Sequence, residues 1–337
     1  MSLNLPSPYL LFLGDVTEPL FAKTAYGLRD WAPAKCIGEW ACPGATVTAG
    51  LPRLSPADAY KRGARALVIG VANYGGVINA SWIPLLLEAL NSGLDIIGGL
   101  HSRLGEQADL RAEAARLGRR LIDVRVPPPN IPVANGRKRA GKRLLTVGTD
   151  CALGKKYTAL AIAKAFLRRG LAADFRATGQ TGILIAGAGM PMDAVVSDFE
   201  AGAAEVLSPD AEAGHWDVIE GQGSLFHPSY AAVSLGLLHG SQPDVIVVCH
   251  EAGRKHVLGV PAYSLPSLSE TIELNLALGR RTNPAIRCAG VSINTSRLSV
   301  DEAEQYLQQV TAELGVPVAD PIRAGARFDR LIDSCLN

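Results

Sequence analysis

The chain has 337 residues, enough for about two domains at roughly 150 residues each. Hydrophobic residues make up 48% of it and charged residues 19%, with 35 glycines and 21 prolines as punctuation, which excludes global disorder and a coiled coil and suits an α/β protein. Lys plus Arg number 33 against 32 for Asp plus Glu, so a net charge of +1 offers no field for a polyanion and no nucleic-acid partner is expected.

From the N-terminus, MSLNLPSPYLLFLGDV places no basic residue before its short apolar stretch, which argues against a secretory signal. The uncharged run 66–87 is long enough to span a bilayer, but Asn73, Gly75, Gly76, Asn79, Ser81 and Pro84 interrupt it; it reads as a buried strand, a glycine turn and a helix start, and no membrane is expected. Short apolar runs at 9–14, 66–72, 94–100 and 120–126 alternate with helical-period stretches such as ADLRAEAARLG, the pattern of a Rossmann-like domain over 1–130. The prolines and basic tail of PPPNIPVANGRKRAGKR then predict a linker at 131–142, open to proteases.

Over 143–337 the alternation is stronger. Strands are predicted at 143–148, 173–177, 216–221, 244–249 and 288–293, all continuously apolar and therefore covered by helices on both faces of a mostly parallel sheet. A helix runs from Lys155 to Arg169 before Gly170, and another starts at Ser299 with Glu302 completing a capping box and stops near Gly315. Six cysteines are scattered without a CxxC pair, as in a cytoplasmic protein with free thiols, and no metal site is expected.

The segment LLTVGTDCALGKKYT carries the chemistry. A strand, a glycine loop and Gly154-Lys155 at a helix start form a P-loop, whose backbone N–H groups cradle phosphate while the lysine reaches another; Gly148, Thr149, Asp150, Cys151, Ala152, Leu153, Gly154, Lys155 and Lys156 are the ligand-binding candidates. The pattern is a variant, because five residues separate Gly148 from Gly154 where four are usual, and Lys156 replaces the magnesium-binding hydroxyl. Thr158 lies two residues on, about 200° further round the helix, and cannot take that place. A triphosphate and a ligand with an ADP-like pyrophosphate both satisfy a phosphate-binding loop. Lys156 favours a pyrophosphate held by charge over magnesium-assisted phosphoryl transfer.

Other candidates lie at strand ends. Glu220 closes an apolar strand beside Gly221, where open α/β sheets collect ligands, and serves as a base or an ammonium partner. Gln180, in TGQTG, offers a neutral donor to an oxyanion. Five of the six histidines fall between 215 and 256, without metal-ligand spacing; His227 and His250 are candidate bases. Arg254 and Lys255 could receive the carboxylates of an acidic substrate. Cys151 is read as a small loop residue and not a nucleophile.

GTDCALGK resembles the loop of dethiobiotin synthetase, and RATGQTG, VIEGQGS and GVSINTS follow in the order expected of that superfamily. The whole chain, with IEGQGSLFHP and LGLLHGSQPDVIVVCH, more closely resembles the DgcN family, named for D-glutamate N-acetyltransferase activity and long catalogued as a domain of unknown function. That resemblance implies acetyl-CoA as co-substrate, D-glutamate as acceptor, Arg176 in substrate binding and Asn294 beside the base of the cofactor. A homo-oligomer is expected. The alternative is an ATP- and Mg-dependent ligase, kinase or carboxylase like dethiobiotin synthetase, or a non-catalytic nucleotide sensor.

Overall fold

A computed structural model describes residues 3–337 of the chain and divides it into two compact units. One holds the chain up to Val126 together with Gln180–Pro191; the other holds Pro127–Gly179 and everything from Met192 onward. Both are α/β units built on parallel sheets.

The first unit runs β1 (Tyr9–Phe12), α1 (Lys23–Trp31), β2 (Cys36–Trp40), α2 (Pro56–Lys61), β3 (Ala66–Ile69), α3 (Ile83–Asn91), β4 (Asp95–Gly98), α4 (Ala108–Leu117) and β5 (Leu121–Asp123). Its sheet has the order β2-β1-β3-β4-β5 with every pair parallel. β1, β3 and β4 are buried at every residue, as continuously apolar strands between helices must be. β2, CIGEW, is not among the strands expected from the sequence, and it carries a carboxylate into the sheet. That carboxylate is satisfied: the Ala49 and Leu51 amides donate to Glu39 Oε2 at 2.6 and 3.3 Å, and the Thr48 hydroxyl donates to Oε1 at 2.6 Å. At the carboxyl edge of this sheet the glycines admit the unit's own groups, since a Cβ on Gly14 would lie 2.7 Å from the Trp82 ring and one on Gly76 2.7 Å from the His101 amide nitrogen.

The rest of the chain continues with β6 (Lys142–Gly148), α5 (Lys155–Arg168), β7 (Ala173–Arg176), α6 (Gln180–Ala186), α7 (Glu200–Leu207), β8 (Trp216–Ile219), α8 (Ala231–Ser241) and β9 (Val245–Glu251). After it come β10 (His256–Val257), β11 (Val260–Ser264), α9 (Leu268–Gly279), β12 (Arg287–Asn294), α10 (Val300–Leu314), β13 (Val318–Ala319) and α11 (Ala326–Leu336). Of these, α6 belongs to the first unit, where Thr181 Oγ1 lies 3.0 Å from Thr24 Oγ1 on α1 and the Ile185 carbonyl accepts from Lys35 Nζ at 2.9 Å. The second unit's sheet has the order β13-β12-β9-β6-β8-β7, all parallel, beside a small antiparallel β10–β11 hairpin. The capping box at Ser299 and Glu302 forms, and Gly315 ends α10 in the left-handed conformation at φ 66°.

The basic stretch before β6 is docked, contrary to its reading as an open tether. Arg139 donates to the carbonyls of Ser208, Gly240 and Ser241, and Arg143 to those of Arg139, Ala140 and Pro209. Ser208 follows α7, and Gly240 and Ser241 end α8, so the guanidinium of Arg139 satisfies carbonyls that a helix C-terminus leaves without partners. With Arg139 and Arg143 only 6% and 1% exposed, limited trypsinolysis is expected to spare both bonds while the protein is folded. Early cleavage after either residue, read by mass spectrometry, would show that the segment is loose.

No helix of the described residues is long and apolar enough to cross a membrane.

Candidate active site

In the second unit β6 lies between β8 and β9, so the strand order reverses across it and the carboxyl ends of these three strands meet at the switch point of the sheet. Gly148 ends β6, Glu220 follows β8, and His250 and Glu251 end β9. The close fit of β8 against β6 requires glycine at 221, where a Cβ would fall 1.6 Å from the Thr146 carbonyl oxygen; the Thr146 hydroxyl accepts from the Gly221 amide at 2.9 Å.

The loop leaving β6 reaches α5 through Gly154 at φ 115°, and no side chain caps the helix. An uncapped N-terminus of this kind presents N–H donors and the positive end of the helix dipole to an anion. Lys155 is 6% exposed and its Nζ donates to the Asp150 carbonyl at 2.7 Å; burial pushes its pKa down. Thr158 is turned away from the loop, its hydroxyl 2.8 Å from Ser292 Oγ on β12. Lys156 sits over the Tyr157 ring at 5.4 Å, and its charge acts on the Glu220 carboxyl.

Glu220 is held rigidly. Its Oε2 accepts from the Thr178 and Gly179 amides at 2.9 and 3.2 Å, while its carbonyl accepts from the Thr178 hydroxyl at 2.7 Å. Burial raises its pKa, opposed by Lys156 and by the two amides. A buried carboxylate whose pKa is raised in this way holds a proton more readily than an exposed one, which suits it to act as a base. Thr178, unremarked in the sequence reading, is what fixes it; the signal available was its place in TGQTG at the end of β7.

The two candidate histidines differ. His227 is buried, and its Nδ1 accepts from the Ser229 amide at 3.0 Å, which puts the ring proton on Nε2, 4.0 Å from Asp150 Oδ1. As placed, His227 offers a donor and no free lone pair. His250 Nδ1 lies 3.0 Å from Thr149 Oγ1, tying the end of β9 to the loop, and burial, followed by the nearby Arg254 charge, lowers its pKa.

Asp150 is wholly buried within the loop, its carboxylate accepting from the Cys151 and Leu258 amides at 2.6 and 2.8 Å and from Arg254 at 3.1 Å. Arg254 is thus engaged by the loop itself. Lys255, next to it, is exposed. Arg176 and Asn294 are not brought to the loop. Arg176 pairs with Asp217 at 2.7 Å and Asp174 at 3.1 Å, and Asp217 is in register with Arg143, five residues back along β6 or about 16 Å at the rise of a strand. Asn294 ends β12, two strands from β6 and so about 10 Å across the sheet, with its Oδ1 accepting from the Ser296 amide at 3.0 Å. Gln180 lies in the first unit, where its side chain abuts Gly99.

Comparisons with known proteins agree on the whole chain. Residues 132–331 match the family model described as a domain of unknown function, DUF1611_C, P-loop domain, and residues 35–127 match DUF1611_N, Rossmann-like domain. The chain is 49% identical over 328 residues to a D-glutamate N-acetyltransferase of Tritonibacter scottomollicae, covering 97% of this chain and 98% of that one. It is 47% identical over 323 residues to an enzyme of the same name from a Pseudoalteromonas species, covering 96% and 97%. The crystal structure of a DUF1611 family protein from Anabaena variabilis superimposes with a TM-score of 0.85 at 33% identity, covering 98% of this chain and 99% of that one.

Proposed function

The chain belongs to the DUF1611 family, and on that footing we propose that it is an N-acetyltransferase carrying the acetyl group of acetyl-CoA to the amine of D-glutamate. The observation that carries this reading is near-full-length identity of close to one half with two enzymes of that name. The chemistry of the loop supports it. Two adjacent lysines and an uncapped helix start suit the pyrophosphate of CoA, and the position after Lys155, where a triphosphate enzyme places its magnesium hydroxyl, is a lysine.

In this reading Glu220 takes a proton from the ammonium of D-glutamate. The freed amine attacks the thioester carbonyl carbon, the C–N bond forms and the C–S bond breaks, and the departing CoA thiolate takes the second amine proton to leave as free thiol. His227, with its proton on Nε2, is assigned as a donor to developing negative charge and not as a base. The cytoplasm supplies acetyl-CoA and keeps thiols reduced, and no disulfide joins any of the cysteines among the described residues.

The test is direct. With acetyl-CoA and D-glutamate the protein should release thiol in step with N-acetyl-D-glutamate, in excess EDTA as well as without it, and should turn over L-glutamate more slowly. A product that forms only with ATP, is abolished by EDTA and appears in proportion to ADP would replace this reading with the ATP-dependent one.

A further inference from the structure

The segment between β9 and the β10–β11 hairpin returns one side chain to the phosphate loop. Arg254 Nη1 donates to the Cys151 carbonyl at 2.7 Å and to Asp150 Oδ2 at 3.1 Å. Its Nη2 donates to the Ala152 carbonyl at 3.4 Å and to the Glu251 carboxylate. The Leu258 amide adds a donor to the same Asp150 oxygen at 2.8 Å, and Arg297 Nε holds the other Glu251 oxygen at 3.2 Å. Ala152, in the middle of the loop, has φ 53°, a left-handed conformation that an L side chain resists. A left-handed residue inside a turn is how a chain gathers successive N–H groups into an anion-binding concavity, and the carbonyls must then be satisfied on the other side. Arg254 supplies that: its planar fork takes two consecutive carbonyls and the loop's own carboxylate in a fixed geometry that a flexible ammonium does not preset.

We infer that Arg254 is the positioning residue of the phosphate loop, holding its carbonyls outward so that the N–H groups following Cys151 face the ligand, and that it is not a partner of the substrate's carboxylates. This deepens the acetyltransferase reading and rests on it. It accounts for an arginine whose described partners are residues 150–152 of the loop and the adjoining Glu251.

The experiment compares wild-type protein, R254K and R254A. For R254K, losing charge-assisted hydrogen bonds to the loop should raise KM for acetyl-CoA about tenfold or more, with KM for D-glutamate changed by less than about twofold. Free guanidinium, added at concentrations too low to unfold the protein, should restore acetyl-CoA affinity to R254A but not to K155M. A rise confined to KM for D-glutamate, or acetyl-CoA kinetics unchanged in R254K, would overturn the inference. If the Arg254 variants do not fold, E251Q removes the charge that steadies Nη2 and is shared with Arg297 while leaving Arg254 in place; a smaller rise in KM for acetyl-CoA is then expected, and none would refute the brace. Titration of the wild type with CoA and with ADP separates the two readings: failure to bind CoA sinks the acetyl-donor assignment, whereas the ratio of variant to wild-type affinity, for whichever of the two binds, judges Arg254.

Discussion

Glu220→Gln is expected to lower turnover by about 100-fold, the loss typical of removing a general base. The substitution keeps the size of the side chain and an oxygen that still accepts from the Thr178 and Gly179 amides, so the cage around it survives. The wild-type rate should climb as pH rises through the elevated Glu220 pKa, because only the ionised carboxylate accepts a proton, and this limb should vanish in the variant. Stability moves the other way. A carboxyl whose folded pKa exceeds its unfolded value stabilises the fold when protonated and loses that contribution as pH rises, so at neutral pH the neutral amide should leave the melting temperature unchanged or raised. A fall in turnover without a fall in stability is the signature of a base. Unchanged turnover would return the role to His250, bound through Nδ1 to Thr149 and with its second ring nitrogen still to act.

The parts of this molecule that sequence showed are those with a local cause. β1, β3, β4, β6, β8 and β9 are runs of apolar residues buried nearly throughout, and burial on both faces is what such a run implies. α10 announced itself through Ser299, Glu302 and Gly315, because a cap is chemistry between neighbours in the chain. β2 and the two-residue β13 lack that cause: one depends on a loop at 48–51 folding back to bond Glu39, the other on pairing with β12.

The candidate site divides the same way. The loop and Glu220 are contiguous motifs, and they lie together at the carboxyl ends of β6 and β8. The partners of Arg254 and Arg176 are not legible in the sequence, since they lie about 100 and 40 positions away: Asp150 in one case and Asp217 in the other. Arg139 and Arg143 misled for the same reason. Basic residues beside prolines look solvated until the carbonyl ends of α7 and α8 are known to lie against them. Gln180 follows Gly179 in sequence, yet α6 packs with α1 in the first unit, and nothing in TGQTGILIA records that the chain crosses there.

Lys155 offers the sharpest contrast between what stabilises the fold and what the site requires. Its ammonium is buried and its pKa lowered, so the fold carries the cost of desolvating a cation that donates to a loop carbonyl. Its stem is packed, with Cδ 3.1 Å from where a Cβ on Gly221 would lie, so methionine, which fills the same space without charge, is a better probe than alanine. Lys155→Met should therefore fold, with a melting temperature equal to or above that of the wild type, since replacing a buried charge by an apolar side chain of similar volume is often neutral or stabilising. Affinity for CoA should fall by about 1.5–3 kcal/mol, or roughly 10- to 150-fold, because a charge-assisted bond to phosphate is lost. Calorimetric titration with CoA beside a thermal melt reads both quantities. Weaker binding in a protein of undiminished stability would mean that the lysine is retained for an anion; loss of stability with affinity intact would make it a strut of the loop and remove the phosphate from the site.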